Sequence, residues 1–417
     1  MYSIFNNVLF KNFISLTLNQ GLNIIVTLIL TPILFQRLGE SQYGLVNLSL
    51  SIVLFLGIIV NYGFNLNGPK RIAVFKTDLE KNIFTSNVIL LRLLLALFLS
   101  FLIFISFHIF GLFENYWLIL FPTLIILFSE ALYPLFYLQG KDKLNMLMIL
   151  NAISKIVYAV LIVLLIKNPE DGYLVNFFFG ISSILVYLMF WFYLIKKENY
   201  NWLNFSLSRL INSLHKNLNL FISSIGSQII VGSGIIILSN FITDSELGEF
   251  SLAHRVGLLL RMIPVFFIQS ILQKASREHA NNKESLNYLI KPYLTGLIVS
   301  LFVGLIFIFL SKWVIYILAG KFIPFSEHIL LILSFIPFFS MLNFKNLIII
   351  LVKEKSVILN KAIWVSAFFT IVFSVTGSMF FGSFGLAYAL IISEIICFLA
   401  HGYFLKKEAS DNKMISL

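Results

Sequence analysis

Glu40-Ser41-Gln42-Tyr43-Gly44-Leu45-Val46-Asn47-Leu48 is matched, 204 residues further on, by Asp244-Ser245-Glu246-Leu247-Gly248-Glu249-Phe250-Ser251-Leu252. An acidic residue, a serine, an amide or acid, an apolar residue and a glycine recur in register. The offset is almost half of a 417-residue chain, so the two stretches read as one turn used in two repeats. At the same offset Gln20 and Asn23 stand opposite Ser224 and Ser227.

Outward from each turn the chain is apolar. Hydrophobic residues make up 59% and charged residues 12%, with a mean hydropathy of +0.94. That charged share is about half of what soluble domains carry. Such a chain needs lipid as its solvent. A membrane span takes about 20 apolar residues. Twelve stretches meet that length, at roughly 12–35, 44–64, 84–108, 117–138, 144–166, 173–195, 218–241, 248–273, 290–310, 325–350, 357–381 and 385–405. The expected fold is an all-α integral membrane protein of about twelve transmembrane helices. They form two six-helix halves, 1–205 and 206–417, related by a pseudo-two-fold axis along the membrane normal. Halves of that kind enclose a site and alternate access by rocking.

Charge sets the direction. Of the 30 Lys and Arg residues, 20 fall at the N-terminus, in alternate loops and in the tail, against four in the opposite loops (Arg37, Lys167, Lys312 and Lys321). Basic loops stay in the cytoplasm, so both termini are expected there. The same count accounts for the net charge of +11 without nucleic acid. The single cysteine, Cys397, excludes an intramolecular disulfide and a cysteine-based metal site. The first apolar stretch is too long for the core of a cleavable signal.

Ionisable groups inside spans are functional candidates because burying them is costly. They are Arg92, Glu130, Lys155, His254, Arg255, Arg261, Lys345, Lys361, Glu394 and His401. Lys361 and His401 lie near span ends and can snorkel. Helical spacing aligns Asn151, Ser154, Lys155 and Tyr158 in span five, and Glu130, Tyr133 and Tyr137 in span four. Arg92, Lys155, Arg255 and Arg261 are expected to face a wet cationic cavity. Gln20, Asn23, Asn61, Asn151 and Gln228 are its candidate polar lining, against the alternative of interhelical hydrogen bonds. For Glu130 the rival is an ion pair with Lys155. Arginine suits phosphate oxygens, so the cavity calls for an anion. No nucleotide-binding loop, zinc spacing or catalytic set is present, and neither cofactor nor metal is expected. Coupling to an ion or proton gradient is the expectation, with Glu130 and Glu394 as candidate carriers.

Several segments resemble a known family. Phe35-Gln36-Arg37-Leu38-Gly39-Glu40-Ser41-Gln42-Tyr43-Gly44 is similar to the turn after the first helix of Wzx-type polysaccharide flippases. Those belong to the MOP exporter superfamily, with MATE drug exporters and the lipid II flippase MurJ. Tyr62-Gly63-Phe64-Asn65-Leu66-Asn67-Gly68-Pro69-Lys70-Arg71-Ile72-Ala73, Leu138-Gln139-Gly140 and Asn151-Ala152-Ile153-Ser154-Lys155 resemble further family segments in the same order. The glycines read as structural: Gly39 and Gly44 in a tight turn, Gly63 and Gly68 ending span two, with Pro69 stopping the helix.

The resemblance implies a MATE/MurJ-like fold in a bacterial cytoplasmic (inner) membrane. It implies a non-enzymatic flippase for an oligosaccharide repeat unit on a lipid carrier of the undecaprenyl diphosphate type, an O-antigen or capsule precursor. A polysaccharide polymerase and a chain-length regulator are the implied protein partners. Two rivals stand beside it. A MATE-like antiporter for small cations needs an acidic cavity, and a glycan polymerase or ligase needs a long basic external loop.

Overall fold

The computed structural model describes the backbone of residues 8–198, 207–280 and 286–415. Side chains are described for 25–197, 211–272, 275, 276, 278 and 288–411. Among these residues every regular element is a helix. In order they are α1 (Val8–Asn61), α2 (Phe64–Val74), α3 (Asp78–Phe110), α4 (Trp117–Thr123), α5 (Ile125–Leu132), α6 (Leu135–Gly140), α7 (Leu144–Leu165) and α8 (Gly172–Glu198). There follow α9 (Leu207–Gly232), α10 (Gly234–Leu238), α11 (Asp244–Ala280), α12 (Ile290–Ala319), α13 (Pro324–Leu333), α14 (Ile336–Leu342), α15 (Phe344–Val352) and α16 (Ser356–Ile415), with short 3₁₀ turns between some of them. Hydrocarbon offers the backbone no water, and a helix satisfies its own peptide groups. Side-chain hydroxyls follow the same rule. Thr31, Ser51, Thr85, Ser100, Ser366 and Thr370 each donate to the carbonyl four residues back, at 2.7–2.8 Å.

Among the described residues nine helical stretches are long and apolar enough to cross a membrane. Two of them, Ile25–Val74 and Ser356–Asp411, run to 50 and 56 residues. At 1.5 Å per residue the longer would extend about 84 Å, far beyond a hydrocarbon core of about 30 Å. Ser356–Asp411 is broken at Gly382 (φ 56°), and Ile25–Val74 at Gly39 (φ 74°) and again at Tyr62 and Gly63 (φ 72°). These φ values lie where a side chain strains the backbone.

The chain divides into two compact units, Met1–Ile225 and Gly226–Leu417. This boundary lies inside α9, because residues 211–225 pack on the first unit. Asn67 donates to Asn217 Oδ1 at 2.7 Å, and Tyr62 stacks on Phe221 with ring centroids 4.2 Å apart. The first unit's core gathers Phe64, Phe84, Phe136, Tyr137 and Trp191. There α2 and α6 cross so closely that a methyl group on Gly140 would meet Ile72 Cβ at 2.5 Å, and one on Gly68 would meet Phe136 Cβ at 2.8 Å. In the second unit Gly377 and Gly385 bring the two arms of α16 together: a methyl group on Gly385 would lie 1.9 Å from the Gly377 carbonyl oxygen.

The repeated turn has a parallel role in each unit. The helical arm after Gly39 starts at Glu40, and α11 starts at Asp244. The third residue of each then reaches the start of a later long helical arm in the same unit, α8 in the first and the second arm of α16 in the other. Gln42 Oε1 lies 3.1 Å from the position of a methyl on Gly172, and Glu246 Oε1 accepts from Ser383 Oγ at 2.8 Å. Two local expectations change. Gly44 sits inside the helix, so Gly39 alone carries the turn. Pro69 does not stop the chain either. The break precedes it, at Tyr62 (φ 43°) and Gly63 (φ 72°), and α2 runs through the proline.

Candidate functional site

A cavity of about 310 Å³ opens inside the first unit. Four elements build it. Thr27 comes from α1, Glu130 from α5 and Tyr133 from the break after it. From α7 come Asn151, Lys155 and Tyr158, and from α8 come Phe179, Ser183 and Tyr187. The i, i+4, i+7 and i, i+4, i+8 spacings put each set on one helix face.

The break in the fourth span shapes the cavity wall. Tyr133 is extended (ψ 117°) and Pro134 follows it, so carbonyls near the end of α5 lose their helical donors. Two side chains replace those donors. Trp191 Nε1 donates to the Leu132 carbonyl at 2.8 Å, and Arg92 Nη1 donates to the Tyr133 carbonyl at 3.3 Å. Interrupted helices are tolerated at membrane depth where protein or a cavity covers the freed groups.

Lys155 projects its ammonium 3.4 Å from the Phe179 ring centroid, a cation–π contact. Glu130 accepts from Asn61 Nδ2 at 3.1 Å. Gly57, on α1, leaves room for it: a methyl there would stand 3.5 Å from Glu130 Cγ. Among the described residues no ion pair joins Glu130 to Lys155, so the two charges share the cavity without closing on each other. Asn151 bridges the wall, accepting from Tyr187 at 2.8 Å and donating to Tyr133 Oη at 3.3 Å. Ser154 and Ser183 hydroxyls meet behind it at 2.8 Å.

Arg92 stands elsewhere than the sequence suggested. It is wholly buried (0% exposed) and is absent from the cavity lining. Its Nη2 donates to Asn61 Oδ1 at 2.7 Å and Asn65 Oδ1 at 2.6 Å, while the Phe136 ring covers it at 5.0 Å. Asn65 also donates to Asn61 Oδ1, at 2.9 Å. The chain Arg92–Asn61–Glu130 therefore holds the cavity carboxylate from behind.

In the second unit Arg261 Nη2 pairs with Glu394 Oε1 at 2.6 Å, joining α11 to α16. Glu394 is buried and Arg261 mostly so. His254, on the same face of α11, is buried with its ring stacked on Phe250 at 5.5 Å. Arg255 and Gln228 are half-buried. Gln20 and Asn23 lie outside the residues whose side chains are described. Asn61 belongs to the network behind the cavity and Asn151 to its wall. The sequence reading passed over Phe179, Ser183 and Tyr187 because span six carries no charge at depth. Their spacing of four, aligned with the polar face of span five, was the available signal.

Comparison with known proteins places this arrangement. The chain is 23% identical over 398 residues to the Shigella dysenteriae protein named "Putative O-antigen transporter", covering 93% of this chain and 98% of that one. An Escherichia coli K12 protein of the same name is 23% identical over 290 residues, 69% of each chain. Among solved structures, the lipid II flippase MurJ in an inward closed conformation superposes with a TM-score of 0.74, at 20% identity, over 94% of this chain and 87% of that one. A multidrug-resistance MATE transporter of the MOP superfamily, in an inward-facing conformation, gives 0.68 at 14% identity, over 94% and 99%. The fold is thus that of MATE and MurJ transporters, in a multi-pass membrane protein. The profile of the polysaccharide biosynthesis protein family matches residues 9–275, more than half of the sequence, and the chain belongs to that family.

Proposed function

We propose that this protein flips a polyprenyl-diphosphate-linked oligosaccharide, an O-antigen or capsule precursor, from the cytoplasmic to the outer leaflet of a bacterial inner membrane. One observation carries the proposal. In a chain whose outer surface is apolar, four helices of one unit converge on a cavity of amides, hydroxyls, aromatic rings and two opposite charges. A lipid or a hydrophobic drug needs no such lining. A sugar does: amides and carboxylates match its hydroxyls, and rings match its apolar faces. The names of the Shigella and Escherichia coli relatives support the same cargo.

In this reading Lys155 draws the diphosphate to the cavity of the first unit, where Asn151, Tyr133 and Tyr187 hold the glycan, and Arg255 and Arg261 are the candidate phosphate ligands of the second unit. Arg92 acts on the site through Asn61 and Glu130 rather than by touching substrate. The chain makes twelve passes in two six-helix halves, with both termini cytoplasmic, and alternates access between leaflets. Glu130 and Glu394 couple transport to an ion gradient. The carrier lipid is of the undecaprenyl type, and the product passes to a polymerase and its chain-length regulator.

The test is a deletion strain complemented with wild type or with Lys155→Met. Complete lipid-linked repeat units should accumulate on the cytoplasmic leaflet of the deletion strain while surface glycan disappears. Repeat units that reach the outer leaflet in normal amounts, yet stay unpolymerised, would point to an enzyme and refute the transport reading.

A further inference from the structure

A second polar cavity, of about 340 Å³, lies in the first unit where α2 turns into α3. Arg71 enters it from the last turn of α2, Glu80, Phe84 and Asn87 from the start of α3, and Asn212 and Ser213 from α9. Among the described residues it shares none with the Lys155 cavity.

Arg71 is the notable group. Its guanidinium lies over the Phe84 ring, 5.3 Å from the centroid. This cation–π contact holds the guanidinium beside the ring and leaves its N–H groups for a planar or tetrahedral anion. Among the described residues the guanidinium has no hydrogen-bond or ion-pair partner. The one carboxylate among the described lining residues is engaged elsewhere: Glu80 Oε2 accepts from the Thr77 backbone N–H at 3.3 Å, in the capping box that starts α3. Asp78 is likewise paired, with Lys81 at 3.3 Å. Lys70 and Lys76 stand exposed on the same turn, so residues 70–81 carry four basic groups against two acidic ones. The chain here leaves its apolar stretch, and basic groups at such a level attract phosphate headgroups.

We propose that this cavity binds a phosphate-bearing headgroup at the membrane surface, with Arg71 as the phosphate ligand and Asn212 and Ser213 as its hydrogen-bonding neighbours. The phosphate belongs either to bulk anionic phospholipid or to a polyprenyl diphosphate. The site stands on its own residues and does not depend on the flippase reading.

Purified full-length protein in neutral detergent is titrated with phosphatidylglycerol, with a polyprenyl diphosphate and with diacylglycerol, which carries no phosphate. Native mass spectrometry reads the bound lipid, and inorganic pyrophosphate serves as competitor. Wild type should hold a phosphate-bearing lipid over diacylglycerol, and pyrophosphate should displace it. Arg71→Ala and Asn212→Asp should each weaken that preference about tenfold, the second by placing a carboxylate beside the phosphate. Preference for phosphatidylglycerol assigns the site to bulk lipid, and preference for the diphosphate assigns it to the carrier. Asn212 is exposed, so Asn212→Asp carries the test even if Arg71→Ala fails to fold. Equal retention of diacylglycerol, or wild-type binding in both variants, overturns the proposal. Neither result bears on glycan export in the deletion strain, so the two readings fail separately.

Discussion

Arg92 and Lys155 are both cations within apolar helices, yet their surroundings assign them different work. Arg92 gives its Nη atoms to two asparagines and a carbonyl inside a closed core. Replacing it with methionine removes the Arg92 donor from Asn65 Oδ1 and the Tyr133 carbonyl, and leaves Asn61 Oδ1 with its bond from Asn65. We expect Arg92→Met to lower stability by about 3–5 kcal/mol, the scale for breaking a buried charged contact, read as a loss of thermal stability in detergent. Lys155 faces a cavity, with only a ring beneath it. Lys155→Met should leave the melting temperature within a few degrees and reduce glycan export by about 10–100-fold, the cost of one charge-assisted contact. Comparable loss of melting temperature in both variants would show that Lys155 is structural. The Arg261–Glu394 pair makes a third case. Arg261→Met alone leaves a buried carboxylate unpaired, whereas Arg261→Met with Glu394→Gln removes both charges. The double variant should therefore be the more stable, with a coupling of about 1–3 kcal/mol in a double-mutant cycle of thermal unfolding.

Contacts between helices in this fold depend on missing side chains as much as on present ones. Gly140 and Gly385 sit where a methyl group would overlap Ile72 or the Gly377 carbonyl. Gly140→Leu and Gly385→Val should each prevent accumulation of folded protein, detected as loss of the monodisperse peak in fluorescence size-exclusion chromatography. Arg37 works at an element end: its Nη1 donates to the carbonyls of Val163 and Ile166 at 2.8 and 2.6 Å, capping the C-terminus of α7. This gives the Arg37-Leu38-Gly39 motif a structural task. Much at this scale was legible from residues alone. Breaks at Gly39 and Gly382 fall in the gaps between apolar stretches 12–35 and 44–64, and between 357–381 and 385–405. The polar face of span five was visible because Asn151, Lys155 and Tyr158 repeat at helical spacing. What hydropathy could not give was partner choice. Arg261 and Glu394 are 133 residues apart, and periodicity carries no information about which distant helix a side chain meets. Nor could it separate Arg92 from Lys155. Both are single cations in apolar runs, and the difference between them is made by Asn61 and Asn65, one helix away.

For the chain as a whole, the distribution of basic residues makes a claim about sidedness that one pair of labels can test. Lys76 lies in the turn between α2 and α3, within the basic set, and Lys167 lies between α7 and α8, in the opposite set; both are exposed. Three crossings separate them if α3, the α4–α6 run and α7 each span once, so they must lie on opposite faces. Retaining lysine on the cytoplasmic side is favoured by the membrane potential and by anionic lipid, which puts Lys76 inside. Cys397 is the sole native thiol, so a Cys397→Ala background is free of cysteine, and Lys76→Cys or Lys167→Cys then adds one. In intact spheroplasts a membrane-impermeant maleimide should label the cysteine at 167 and spare that at 76, and permeabilisation should expose the second. Labelling of both before permeabilisation would remove a crossing between them and, with it, the two six-helix halves. A reversed pattern would keep the halves and invert the protein. Arg71 would then face the outer surface, and the flippase reading would have to load its cargo from the opposite leaflet.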